Sequence, residues 1–133
     1  MTENYKSSEI GHEITCTFKI EDRNLLNNQE GKLRELLRRA LLKDNFNILN
    51  LAEYHFSPEG YSCIFLLGES HADVHTYPEH GSLVFNMYSC RGENDAKNTF
   101  EYLKKELNNP KIIFYKEDKV PVTEKAAKKL SSN

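Results

Sequence analysis

The chain has 133 residues, 38% hydrophobic and 29% charged, which suffices for one packed domain, leaves no room for a second catalytic domain and is not a disordered tail's composition. Lys and Arg number 18 against 20 for Asp and Glu, a net charge of −2, so no overall cationic field gathers nucleic acid or anionic lipid, and neither is expected as a partner. The longest apolar stretches, such as residues 63–67, fall far short of the ~20 needed to cross a bilayer, and the polar start lacks a leader's apolar core, so a cytoplasmic location is expected.

Residues 1–10 read as a loose polar segment. From Gly11 the chain alternates, with Ile14, Cys16, Phe18 and Ile20 on one side and Glu13, Thr15, Thr17 and Lys19 on the other, the period of a half-buried strand. Leu33, Leu36, Leu37, Ala40 and Leu41 then recur at helical spacing, with Arg34, Glu35, Arg38 and Arg39 between them, predicting an amphipathic helix. A second strand over residues 46–56 ends at Ser57-Pro58-Glu59-Gly60, a turn sequence. Residues 63–67 are apolar on both faces and read as a central strand, interrupted at Gly68-Glu69-Ser70 and followed by a polar stretch to Thr76. Residues 82–90 form another strand with Leu83, Phe85 and Met87 on one face. Ala96, Phe100, Leu103 and Leu107 predict a second helix capped near Asn94 or Asp95, and residues 112–115 a last strand. Residues 104–133 carry eight Lys against four acidic residues; the Lys are dispersed, and 119–133 read as a loose solvated tail. The expected fold is an α+β two-layer sandwich, a mainly antiparallel sheet with two helices on one face, in a single domain over residues 1–133.

The three cysteines, Cys16, Cys63 and Cys90, are odd in number and form no CxxC pair, which argues against a disulfide framework or a zinc knuckle. Residues 69–90 hold Glu69, Ser70, His71, Asp73, His75, Glu79, His80 and Cys90, a density of ionisable and nucleophilic groups found nowhere else in the chain. Taken singly, such residues are ordinary at strand ends and turns. His71, Asp73, His75, Glu79 and His80 are also metal-ligand types, but the helical His-Glu-x-x-His motif is absent and Pro78 disfavours a helix, so no metal is expected. Ser70 as nucleophile, His75 as acid or base and Cys90 as a thiol acid suit acyl and proton transfer, yet no G-x-S-x-G elbow surrounds Ser70.

Gly68-Glu69-Ser70-His71, His75-Thr76-Tyr77-Pro78-Glu79 and Cys90 twenty residues after the Ser resemble the small prokaryotic S-adenosylmethionine decarboxylase proenzymes over about residues 11–118. The resemblance implies a chain that cuts itself between Glu69 and Ser70, into residues 1–69 and 70–133, and turns Ser70 into a covalent pyruvoyl cofactor. It implies processing roles for Ser62 and His75, a proton-donating role for Cys90, stacking of Phe56 on adenine and binding of ribose hydroxyls by Glu79. Without it, Ser62 reads as a turn residue and Phe56 equally well as core packing. Asp73 stands where a small hydroxyl or apolar residue is common, and beside His75 it could pair with a second amine or guanidinium of a substrate. The implied activity is pyruvoyl-dependent decarboxylation of S-adenosylmethionine, a small-molecule substrate, for polyamine synthesis. The alternatives are ornithine or arginine decarboxylation on the same scaffold, and a non-processing regulatory homologue. A homodimer is expected, two sheets meeting as a four-layer α/β/β/α sandwich.

Overall fold

The computed structural model describes residues 7–132. The alternation after Ile10 produces β1 (Ile10–Lys19), which buries His12, Ile14, Cys16 and Phe18 and turns Glu13, Thr15 and Thr17 the other way. A one-turn α1 (Arg23–Leu26) follows, its N-terminus capped by Asp22, which accepts the Leu25 N–H at 3.2 Å. Next come α2 (Lys32–Lys43), β2 (Ile48–His55), β3 (Tyr61–Leu67), β4 (Ser70–Tyr77) and β5 (Ser82–Ser89), then α3 (Ala96–Glu106), β6 (Lys111–Pro121) and α4 (Glu124–Ser131). The six strands form one sheet in the order β2-β3-β4-β5-β1-β6, antiparallel throughout, as an α+β sandwich requires.

The predicted leucine stripe of α2 is buried in full, and α3 buries Ala96, Thr99, Phe100 and Leu103. Both helices close over one face of the sheet, where Phe18, Phe65, Leu83 and Phe85 complete a single core. Each leucine so enclosed contributes roughly 2 kcal/mol relative to exposure. The opposite face carries Tyr54, Ile64, Leu66, Tyr77 and Phe114, between 41% and 63% exposed.

Four expectations are corrected. The polar stretch after Ser70 is a strand, β4: Ser70, Ala72, Val74 and Thr76 face the core while His71, Asp73 and His75 face away, so its pattern is small against polar rather than apolar against polar. β3 is second from the sheet edge, the centre being β4 and β5; its outer residues Ile64 and Leu66 are apolar although nothing within the described chain covers that face. The last strand runs to Pro121 along β1, and the expected loose tail 119–133, of which residue 133 lies outside the described residues, continues from that strand into α4, which Thr123 caps by accepting the Ala126 N–H at 3.1 Å. Of the loose segment 1–10, residues 1–6 lie outside the described residues, and Ser8 donates its N–H to the Cys90 carbonyl at 2.6 Å.

His12 ties the sheet to α3. It is fully buried; Nδ1 accepts the Ala96 N–H at 3.0 Å, which places the ring proton on Nε2, where it meets Glu117 Oε2 at 2.8 Å. The ring does what Ser or Asp does at most helix starts, and Asp95 makes no side-chain cap here. His12→Ala leaves a helix N–H and a cavity unfilled, and is expected to lower the unfolding free energy by about 2–3 kcal/mol in urea titration.

Candidate active site

Leu67 pairs with Ser70 across the β3–β4 hairpin, which leaves Gly68 and Glu69 as a two-residue loop. Glu69 sits at φ +56°, in the left-handed region, a conformation that costs a side-chain-bearing residue on the order of 1 kcal/mol. The next residue, Ser70, is 5% exposed, and among the described residues its Oγ has no hydrogen-bond partner. An unpaired buried hydroxyl costs roughly 1–3 kcal/mol. The strained residue and the uncommitted hydroxyl flank the same peptide bond, Glu69–Ser70, as a chain poised for an attack of Ser70 Oγ on the Glu69 carbonyl would require.

Cys90 lies at this end of the sheet, since His71 pairs with Tyr88 and one further step sets Ser70 opposite Ser89. It is 4% exposed, its Sγ donates to the Ser8 carbonyl at 3.4 Å and the Tyr88 hydroxyl approaches it at 3.7 Å. Ser89 Oγ, like Ser70 Oγ, is buried without a partner among the described residues. Burial pushes the thiols of Cys16 and Cys63 up to about 11, so both are inert packing groups at neutral pH, as their strand positions predict.

The other predicted residues gather at the opposite end of the hairpin. Ser62 pairs with His75 across β3 and β4, Oγ to Nδ1 at 2.6 Å. Together with Phe56, Tyr77 and Glu79 they line a cleft of about 350 Å³. Phe56 follows β2, is 50% exposed and meets Tyr54 edge-on at 4.8 Å, so it is a wall of the cleft and not a core residue. Glu79 is placed by the short 3-10 turn Pro78–His80. Ser62, which reads as a turn residue in isolation, is the second residue of a strand whose register aims it at His75.

Asp73 lies between the two ends and outside the cleft lining. Its carboxylate is flanked on the same face by His75 Nε2 at 3.5 Å and His71 Nε2 at 3.7 Å. Burial raises the Asp73 pKa above the usual carboxylate range, and His75 and then His71 oppose that rise. Sequence reasoning missed Asn86: its Oδ1 meets His71 Nε2 at 2.9 Å, while its Nδ2 donates to Thr15 Oγ1 at 2.9 Å. Only the sheet order, with β5 beside both β4 and β1, brings these residues together. Among the described residues no three His, Cys, Asp or Glu side chains converge as a metal site.

The candidate residues of one chain therefore fall into two groups. Ser70 and Cys90 stand at one end of β4 and the Ser62–His75 pair at the other, five residues or roughly 17 Å apart.

The model of the family described as "S-adenosylmethionine decarboxylase" matches residues 13–118. An S-adenosylmethionine decarboxylase proenzyme of Thermosipho africanus is 28% identical over 103 residues, 77% of this chain and 78% of that one. Its counterpart in Pyrobaculum arsenaticum is 33% identical over 88 residues, 65% of this chain and 70% of that one. The crystal structure of the adenosylmethionine decarboxylase from Aquifex aeolicus superposes with a TM-score of 0.76 at 25% identity, covering 89% of this chain and 96% of that one.

Proposed function

Because the chain belongs to the S-adenosylmethionine decarboxylase family, we propose that it is a self-processing decarboxylase of S-adenosylmethionine that supplies decarboxylated substrate for polyamine synthesis. The observation that carries this reading is the cleft in which Phe56, Glu79, Ser62 and His75 converge. A half-exposed ring beside a carboxylate suits a nucleoside, stacked on its base and held through two ribose hydroxyls.

Maturation uses the chain's own groups. Ser70 Oγ attacks the Glu69 carbonyl, the Glu69–Ser70 C–N bond breaks, and the hydroxyl proton passes to the freed amine, giving an ester. Removal of the Ser70 α-proton then expels the Glu69 carboxylate as a new C-terminus. Water displaces ammonia from the resulting dehydroalanine, and position 70 becomes a pyruvoyl group. The unpartnered Ser70 Oγ and the left-handed Glu69 fit that conversion, and the Ser62–His75 pair can polarise the carbonyl and move the protons.

When formed, the pyruvoyl ketone supplies an electrophile for the substrate amine and an electron sink as CO₂ leaves. Phe56 and Glu79 orient the nucleoside, and Cys90 Sγ holds the proton that the decarboxylated carbon takes up.

The separation of roughly 17 Å supports a homodimer as the active form. Two uncovered sheet faces, each with Tyr54, Ile64, Leu66 and Phe114 exposed, stack about a two-fold axis near the middle of β4, giving the four-layer sandwich and bringing the Glu69–Ser70 turn at the end of one protomer's hairpin beside Ser62 and His75 of its partner. Among the described residues no helix is long and apolar enough to cross a membrane, and a cytoplasmic location belongs to the same proposal. The alternative amine substrates lack support in the site, since the Asp73 carboxylate faces two imidazoles rather than the cleft.

A CO₂-release assay of the matured protein is expected to give turnover with S-adenosylmethionine and background rates with ornithine and arginine. Robust release from either amino acid with none from S-adenosylmethionine overturns the substrate assignment.

A further inference from the structure

We propose that Asp73 is a positioning residue for His75, holding the ring proton on Nε2 so that Nδ1 accepts the hydroxyl proton of Ser62. The assignment rests on the self-processing reading above and adds a residue to which that reading gives no role.

Asp73 and His75 lie two residues apart on the outer face of β4, and Asp73 Oδ1 faces Nε2 at 3.5 Å while Ser62 Oγ contacts Nδ1 at 2.6 Å. An imidazole with a carboxylate on one nitrogen keeps its proton there, because the reverse tautomer sets a lone pair against a negative charge. Ser62 must then be the donor at Nδ1, and Ser62 with His75 forms a base unit ready to draw a proton.

The neighbouring groups leave Asp73 available for this. Asn86 donates through Nδ2 to Thr15 Oγ1 at 2.9 Å, so its Oδ1 is the atom facing His71 Nε2 at 2.9 Å. His71 thus gives its Nε2 proton to Asn86 and stands from Asp73 at the longer 3.7 Å. With its side chain 12% exposed, the carboxylate is shielded from the water that would otherwise weaken its hold on the ring. Removing Asp73 lets the ring turn to the Nδ1–H tautomer, in which His75 donates to Ser62 and no longer accepts from it.

The test reads the tautomer directly, by ¹⁵N NMR of the histidine rings in the uncut Ser70→Ala chain with Asp73 in place. His75 is expected as Nε2–H with Nδ1 unprotonated; a proton on Nδ1 overturns the proposal. In the otherwise native chain, Asp73→Ala is expected to slow self-cleavage by roughly 100-fold. Asp73→Asn fills the same space but can turn its amide N–H to Nε2 and favour the Nδ1–H tautomer, so it is expected to be about as slow as Asp73→Ala, which a merely structural role does not predict. Wild-type cleavage rate and an unchanged tautomer in Asp73→Ala also overturn it. A native chain that never cleaves counts against the self-processing reading, and the NMR measurement still decides Asp73. If the Asp73 variants fail to fold, the tautomer in the Asp73-containing chain decides alone.

Discussion

Purified native protein is expected as two pieces, residues 1–69 and a blocked fragment from position 70 to 133, while Ser70→Ala stays as one chain. The effect is all or none, because the substitution deletes the only oxygen set against the Glu69 carbonyl by direct chain linkage, and ordinary amides do not hydrolyse on a laboratory timescale. Folding should not suffer. Ser70 Oγ is buried and has no partner among the described residues, so replacing it with hydrogen removes an unsatisfied group and leaves stability unchanged or higher by up to about 1 kcal/mol. Intact-mass measurement beside a urea titration separates the two effects. An S70A chain cut at this bond rules out the self-processing mechanism, and a native chain that remains whole restores the non-processing regulatory homologue as the better reading.

The elements packed by strong apolar periodicity were legible in the sequence, and those held by other means were not. The α2 stripe and the β1 alternation could be read because each buries one face against the core. β4 escaped because its core face offers small side chains and its outer face polar ones, so no apolar rhythm marks it. α4 escaped because among its described residues only Ala126 is buried, and its one local sign is Thr123 before Glu124. The candidate residues could be picked out in the sequence, but their arrangement could not. A sequence separation of thirteen between Ser62 and His75 says nothing of a 2.6 Å contact; the hairpin register makes it. Ser70 and His75 are near in sequence yet far apart along an extended strand, and that separation required the structure.

That separation also carries the last expected result, complementation between two inactive variants. In Ser70→Ala the nucleophile is missing and in His75→Ala the proton-moving partner, so neither homodimer should mature well. The midpoint of Ser70 and His75 on β4 falls between Ala72 and Asp73, and a two-fold axis there exchanges the ends of the strand. A mixed dimer then has one junction where the Glu69–Ser70 turn of the His75→Ala chain lies beside the partner's intact Ser62–His75 pair, and one where both defects meet. Equal co-expression with random pairing places about half of the chains in mixed dimers, so about half of the His75→Ala chains should be cut while every Ser70→Ala chain stays whole. Decarboxylation should return to about a quarter of the native level, against background for each variant alone. A site completed within one chain gives a different outcome, no cleavage in the mixture beyond that of the separate proteins. Sedimentation of the native protein as a monomer at micromolar concentration would likewise remove the basis for the shared site.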